Sequence, residues 1–275
     1  MSGPTSDPTI DPTIDQAAWE RDGYLHLPHV LTADEVAELR QWADDIAARP
    51  GDPSRADGLL QHYELTDRGA QIARSENLVP NHAGFAALID HGRLPAIAAA
   101  LLGEPVVTYK EKINYKLAGG AGFAPHQDAR AYKFADTHVS AMVAIDDATV
   151  ENGCVEVVAG WHHELLDVDE RGCVHPELVE QFVWQPVPLR AGDVLWFHSR
   201  TPHRSDRNLT RSTRRGLFCT YNAAALGDLR TSYYADKLAY FEQHGNAAHR
   251  VSTIGDFEGR QPSAADLRAI GVTRP

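Results

Sequence analysis

At Val106 the hydrophobic period of this chain changes from helical to strand-like, and that switch decides its fold class. Upstream, Thr32-Ala33-Asp34-Glu35 has the form of a capping box, in which a threonine and a glutamate three residues on satisfy each other's backbone donors. Val36, Leu39, Ala43 and Ile46 follow at helical spacing. Residues 85–90 and 95–102 read as two further short helices, closed by Gly92 and Gly103. Downstream, 106–116, 139–145, 154–158, 182–189, 194–197 and 216–222 read as strands. Turn signals such as Asn152-Gly153 and Gly192-Asp193 separate them. Helices first and short strands afterwards predict an α+β domain, mainly β in its core, whose strands form a sandwich or jelly roll.

The ends are different in character. Residues 1–15 are polar and proline-bearing, with Asp-Pro-Thr-Ile written twice, and read as a disordered tail before one domain over 16–275. A Pro/Gly/Asp-rich loop is expected at 50–58. Residues 223–275 return to polar, helix-compatible sequence, with Tyr233, Leu238 and Phe241 as anchors against the core. With 275 residues and 43% apolar content the chain can bury a sizeable core. Its net charge of -12 disfavours nucleic acid or an anionic membrane as partner, and makes any cationic cluster inside it notable. Cys154, Cys173 and Cys219 are odd in number and lack CxxC spacing, so they read as reduced thiols of a cytoplasmic protein. No secretory leader and no apolar run of bilayer length is evident.

The chemistry centres on His126-Gln127-Asp128. In an extended strand, side chains at i and i+2 leave the same face, so His126 and Asp128 point together. With His203 they make a 2-His-1-carboxylate set, which holds non-haem Fe(II) and leaves positions open for cosubstrate and O₂. Alone, His126 reads more readily as an ordinary hydrogen-bonded histidine than as a ligand. His198 is a candidate neighbour of His203, and the acids Asp146 and Asp147 read as a solvated strand end.

The ordered set of motifs resembles the phytanoyl-CoA dioxygenase family of Fe(II)/2-oxoglutarate oxygenases. The resemblance runs from Trp19 to Asn222 and is carried by WERDGYLHLPHVLTADEVAELR, the HQD at 126–128, ENGCVEVVAGWHH at 151–163, AGDVLWFHSRTPHRSDRN at 192–208 and Arg214. It implies a double-stranded β-helix with flanking helices, and Fe(II) held by His126, Asp128 and His203. It also implies that 2-oxoglutarate and O₂ are cosubstrates. Arg214 matches the residue that pairs with the distal carboxylate of 2-oxoglutarate, a role suited to a guanidinium fork. Its neighbour Arg215 would face the other way on a strand. Ser205 and Asn114 match further residues near the cosubstrate. Asp128 is a carboxylate, where related halogenases have a small residue, so the implied reaction is hydroxylation.

The substrate is read from 106–116. On a strand, Lys110, Lys112, Asn114 and Lys116 share one face. Two readings are open: a solvated basic edge, or a cationic cavity wall that grips an anionic head. Tyr132, Phe218 and Asn222 are expected to complete such a cavity. YKEKINYKLAGGAGFAPHQD and TYNAAALGDLR are similar to family members that hydroxylate aminoalkylphosphonates beside the phosphorus. The expected substrate is therefore a small anionic molecule, an aminoalkylphosphonate first. The alternatives are oxidation of a natural-product or acyl-conjugate intermediate, and a non-enzymatic binding protein on the same scaffold. Regiochemistry and oligomeric state are not legible.

Overall fold

The computed structural model describes residues 14–132, 134–244, 251–252 and 255–272, without the side chains of residues 241, 242 and 244. Most of the predicted tail, and the predicted anchor Phe241 as a side chain, lie outside the described residues. Two residues of that tail are ordered. Asp15 caps helix α1 (Gln16–Asp22) by accepting from the Ala18 amide, and Ile14 packs on the core. A free carboxylate at a helix start satisfies an amide that has no partner inside the helix, so Asp15 fixes the first turn of α1.

Strand β1 (Tyr24–Leu27) leads to α2 (Ala33–Ala47), which has the predicted capping box at Thr32 and Glu35. A hairpin of β2 (Leu60–Thr66) and β3 (Gly69–Glu76) follows. Helices α3 (Ala83–Asp90) and α4 (Arg93–Leu102) are next. Gly103 closes α4 in the left-handed region as expected, whereas Gly92 stands at the start of α4 rather than the end of α3. The stretch 83–102 is apolar enough in composition to cross a bilayer, contrary to the sequence expectation. The backbone nevertheless turns at extended His91 and at Gly92, and Phe85, Ile89, Leu94, Ala98 and Leu101 are buried against the sheet.

The β region contains β4 (Val106–Lys116), β5 (Phe123–His126), β6 (Val139–Ala144), β7 (Val155–Val157), the short helix α5 (Pro176–Val179), β8 (Gln185–Val187), β9 (Val194–His198), β10 (His203–Ser205) and β11 (Arg214–Ala223). Helices α6 (Leu229–His244) and α7 (Ala264–Ala269) complete the described chain. The strands make two antiparallel sheets, one of seven in the order β1-β9-β6-β11-β4-β3-β2 and one of four in the order β5-β10-β7-β8. They form the jelly roll that the strand pattern and the family resemblance led us to expect.

Period-two alternation sorts the large sheet. One face, with Ile113, Val139, Ala141, Val143, Trp196, Leu217 and Cys219, packs on α1 to α4. The other face turns inward to the small sheet. There Met142, Ala144, Leu195 and Phe197 meet Val155, Val157 and Val187. All three cysteines are free and buried.

Candidate metal and cosubstrate centre

His203 stands directly across the antiparallel pair from His126, with their ring centroids 4.2 Å apart. Strand β5 ends at His126, and Asp128 opens a short 3-10 turn, so the two do not share one strand as expected. Gln127 nevertheless stays extended (φ -116°, ψ 125°), which preserves the alternation and turns the Asp128 carboxylate back to the histidines. The ligand atoms of His126, Asp128 and His203 all lie within 4.8 Å of one another.

The histidines are oriented for metal. Nδ1 of His126 donates to the Ala124 carbonyl at 2.8 Å, and Nδ1 of His203 donates to the Thr201 carbonyl at 3.0 Å. A carbonyl only accepts, so each ring carries its proton on Nδ1 and offers the Nε2 lone pair inward. Burial, and then the neighbouring His126, lower His203 to about 4, which keeps it neutral and able to ligate near pH 7. Burial alone would raise Asp128. The fields of His203, Lys110, Lys112 and His126 outweigh it and hold the group well below the usual carboxylate range. Two imidazoles and one carboxylate converging on one point are a donor set that suits Fe(II). Phe197, rather than the suggested His198, packs on His203, with centroids 4.9 Å apart. His198 lies on the other face of β9, against Trp19 and His162.

Beside the triad the inward face of the large sheet becomes cationic. Register pairs Lys116, Asn114, Lys112 and Lys110 with Arg214, Gly216, Phe218 and Thr220. Lys110, Lys112, Asn114, Phe218 and Ser205 line one cavity with the triad. The lysines are thus a cavity wall, and the reading of β4 as a solvated edge is overturned: β3 and β11 cover it on both sides. Lys110 lies 4.3 Å above the Tyr132 ring and 5.3 Å from that of Tyr233, and Lys112 lies 5.5 Å from Phe218. Burial, then Arg74 and Lys110, push the Lys112 ammonium well below its ordinary value.

Two expected cavity residues do not line it. Tyr132 sits beside Lys110, its hydroxyl 3.5 Å from Thr220 Oγ1 and hydrogen-bonded to Asp128, so it borders the triad. Asn222 follows a register shift between Thr220 and Tyr221, which ends the shared face. Its amide donates to the carbonyls of Ala223 and Gly227 at the strand's end.

Arg214 and Lys116 make a second cationic corner, in a continuous cavity with Asn114, Ser205 and Phe218. Arg214 Nη2 donates to the Gly153 carbonyl at 2.5 Å, and its Nε has no partner among the described residues. Lys116 Nζ donates to Ser205 Oγ at 2.8 Å, to the Gly153 carbonyl at 3.4 Å and to the Asp206 carbonyl. Burial, then Arg214, lower Lys116 to about 7, and burial lowers Arg214 to about 10. The predicted turn glycine is essential here. Gly153 has φ +70°, and a Cβ would come within 2.2 Å of the Asp206 carbonyl and 2.8 Å of Lys116 Nζ. Arg215 faces outward as expected, gripping Asp146 at 2.8 and 3.0 Å and Asp44 at 2.7 Å. Asp146 is therefore an ion-pair partner and not a solvated strand end.

Several residues escaped sequence reasoning. The β2–β3 hairpin delivers Arg74, whose Nε donates to Asn114 Oδ1 at 2.8 Å, and Glu76, which pairs with Arg74 and with Lys237 of α6. The C-terminal segment delivers Tyr233, Lys237, Ser252 and Asp256 to the cavity. Asp256 Oδ2 lies 3.3 Å from His126 Nε2. The turn around Gly69 (φ +91°), between runs of similar length, was the available signal for the hairpin.

Comparison with known proteins agrees with this geometry. The profile of the family "Phytanoyl-CoA dioxygenase (PhyH)" matches residues 19–216. The chain is 44% identical to the methylphosphonate hydroxylase of Gimesia maris, over 88% of this chain and 94% of that enzyme. It is 32% identical to the 2-aminoethylphosphonate dioxygenase of an uncultured bacterium, HF130_AEPn_1, over 90% of this chain and 92% of that enzyme. Among solved structures, the epimerase SnoN in complex with Fe3+, alpha ketoglutarate and nogalamycin RO aligns with a TM-score of 0.63 at 29% identity. The alignment covers 76% of this chain and 82% of SnoN.

Proposed function

The chain belongs to the phytanoyl-CoA dioxygenase family and is an Fe(II)- and 2-oxoglutarate-dependent dioxygenase, and from that premise we propose that it hydroxylates a small phosphonate at the carbon next to phosphorus, an aminoalkylphosphonate first. The observation that carries the proposal is the cationic wall of Arg74, Lys110 and Lys112 beside the triad, in a chain whose net charge is -12. Cationic side chains outnumber carboxylates in that lining, where Asp128 and Asp256 stand among Arg74, Lys110, Lys112, Arg204 and Lys237, and an anionic occupant balances the excess.

Each residue then has a task. His126, Asp128 and His203 hold Fe(II), their tautomers set by Ala124 and Thr201. Arg214 takes the distal carboxylate of 2-oxoglutarate, with Lys116, Ser205 and Asn114 around it. Bound there, Fe(II) with 2-oxoglutarate and O₂ supplies the oxidant for a C–H bond, and succinate and CO₂ leave. Lys112 and Lys110 hold the phosphonate, orienting the adjacent carbon toward the metal. Phe218 and Phe123 form apolar parts of the same lining.

The test is substrate-dependent succinate formation with methylphosphonate, 2-aminoethylphosphonate and neutral analogues. Phosphonates should be consumed and the neutral compounds should not. Lys112→Met should raise the phosphonate KM by the equivalent of about 2–5 kcal/mol, the range for a desolvated ionic contact. Uncoupled 2-oxoglutarate turnover should change little. Efficient oxidation of neutral compounds, with Lys112→Met near normal, would move the assignment to a natural-product or acyl-conjugate substrate.

A further inference from the structure

We propose that Asp256 is the seat for the substrate's ammonium group, and that it makes the enzyme selective for aminoalkylphosphonates over phosphonates without an amine. The proposal rests on the phosphonate reading above.

Asp256 comes from the C-terminal segment that lies along β5. The Ala124 amide donates to its carbonyl at 2.7 Å, the Glu258 amide donates to Gly122 at 3.1 Å, and the Phe123 and Phe257 rings pack 5.2 Å apart. The segment is therefore held by backbone and ring contacts, and the carboxylate is not needed to fix it. The side chain is 5% exposed, and Asp256 lines the cavity that contains the triad. Its Oδ1 has no hydrogen-bond partner among the described residues. A buried carboxylate oxygen without a donor, on a residue that lines a cavity, is costly unless a donor arrives to meet it.

Two plainer roles are already filled. Orienting His126 is the work of the Ala124 carbonyl on Nδ1. Ligating the metal is the work of His126, Asp128 and His203, the group whose ligand atoms lie mutually within 4.8 Å. What remains is a negative site at the edge of the reaction centre.

Its position matches the substrate's charge pattern. In 2-aminoethylphosphonate the carbon to be oxidised carries the phosphonate on one side and the aminomethyl group on the other. In the cavity, Asp256 adjoins His126, and Lys110 and Lys112 line the same space with Asp128. A zwitterion lying with its phosphonate on the lysines and its ammonium on Asp256 brings the intervening carbon to the metal. The reversed pose would set like charges together, so the two poles also fix the direction of binding. A phosphonate without an amine brings no donor to Asp256 Oδ1.

The experiment uses the full chain loaded with Fe(II) and 2-oxoglutarate under anaerobic conditions. Binding of 2-aminoethylphosphonate and of ethylphosphonate, the same skeleton without the amine, is measured by calorimetry, and turnover is then measured in air. The unmodified enzyme should bind the amine at least tenfold more tightly. Asp256→Asn should reduce the ratio of the two affinities at least tenfold, chiefly through the amine, while Fe(II) titration shows the metal site intact. Equal affinities for the two ligands in the unmodified enzyme overturn the proposal without any variant. So do equal losses on both ligands, or weakened Fe(II) binding, in Asp256→Asn. Turnover of ethyl- or methylphosphonate but not of 2-aminoethylphosphonate overturns it and leaves the phosphonate reading standing. Turnover of none of them overturns the phosphonate reading itself.

Discussion

The inner faces of β6 and β9 and the inner face of β4 belong to one sheet and obey the same alternation, yet they carry opposite chemistry. Met142, Ala144, Leu195 and Phe197 make an apolar seam with the small sheet. On β4 the equivalent positions hold Lys110, Lys112, Asn114 and Lys116 around a cavity. The first region stabilises by removing apolar surface from water, at about 25 cal/mol per Å². The second costs stability, because its cations are held away from water with ordinary ammonium values depressed by burial. The fold tolerates the second because the first, together with the helix-covered face, anchors the strands on which the site is built. The metal triad lies at the boundary. Phe197 of the apolar seam packs on His203, and the lysines bear on Asp128.

This division can be broken at several points. The largest effect is expected at the boundary. His126→Ala, Asp128→Ala and His203→Ala should each cost more than the roughly 10–100-fold loss of metal affinity seen when only an outer partner is removed. Unchanged Fe(II) affinity in all of them would reject the triad. Next, the two regions should respond oppositely to truncation. Phe197→Ala, in a fully buried seam, should lower unfolding stability by about 3–5 kcal/mol. Lys112→Met, on the cationic wall, should be neutral or raise it by about 1 kcal/mol, since a buried cation is exchanged for an apolar side chain. Denaturant unfolding checks both, and a large loss at Lys112 would show that the wall is structural.

The cosubstrate corner comes third. Arg214→Ala should raise the 2-oxoglutarate requirement about tenfold or more, as a hydrogen-bonded charged group worth roughly 1.5–3 kcal/mol is removed. Arg214→Lys should recover only part of this, because an ammonium cannot reproduce the fork. Arg215→Ala should affect stability alone; a cosubstrate defect there, with none at Arg214, would reverse the assignment.

The smallest effect concerns pH. Burial, then Arg214, lower Lys116 to about 7 from an ordinary 10.5. Without an anion, the ammonium loses its proton as pH rises through about 7, and an arriving carboxylate favours taking it back. Binding of 2-oxoglutarate should therefore take up protons above pH 7 and weaken several-fold toward pH 9, with Lys116→Met removing the slope. The unfolded chain holds more protons than the folded one between about 7 and 10.5, so this group's stability contribution rises with pH across that window. Calorimetry in buffers of different ionisation enthalpy would register the uptake, and its absence would remove Lys116 from the corner.

Legibility in the sequence followed the strength of local pattern. The capping box at Thr32, the full span of β4 and the opposed directions of Arg214 and Arg215 follow from period and parity, and the structure has all of them. The β2–β3 hairpin was not legible, because Gln61, His62, Glu64, Arg74, Ser75 and Glu76 are buried polar residues that erase the expected alternation. Strands β5 and β10 are too short to show a period at all. Asn222 was misplaced because a register shift is a property of the strand pair, not of either strand alone.

By itself, then, the sequence determined the jelly-roll class, the three metal ligands, and the fact that lysines alternate onto one face of β4. Period and spacing are local quantities, and each of those conclusions needs only local quantities together with the family motifs. Tertiary structure alone decided what that face looks onto. Burying β4 between β3 and β11 turned a basic strand into a cavity wall, and folding the C-terminal segment along β5 brought Asp256 to 3.3 Å from His126, a residue 130 positions earlier. Contacts between segments so far apart depend on how the sheets close, and no pattern within either segment encodes that closure.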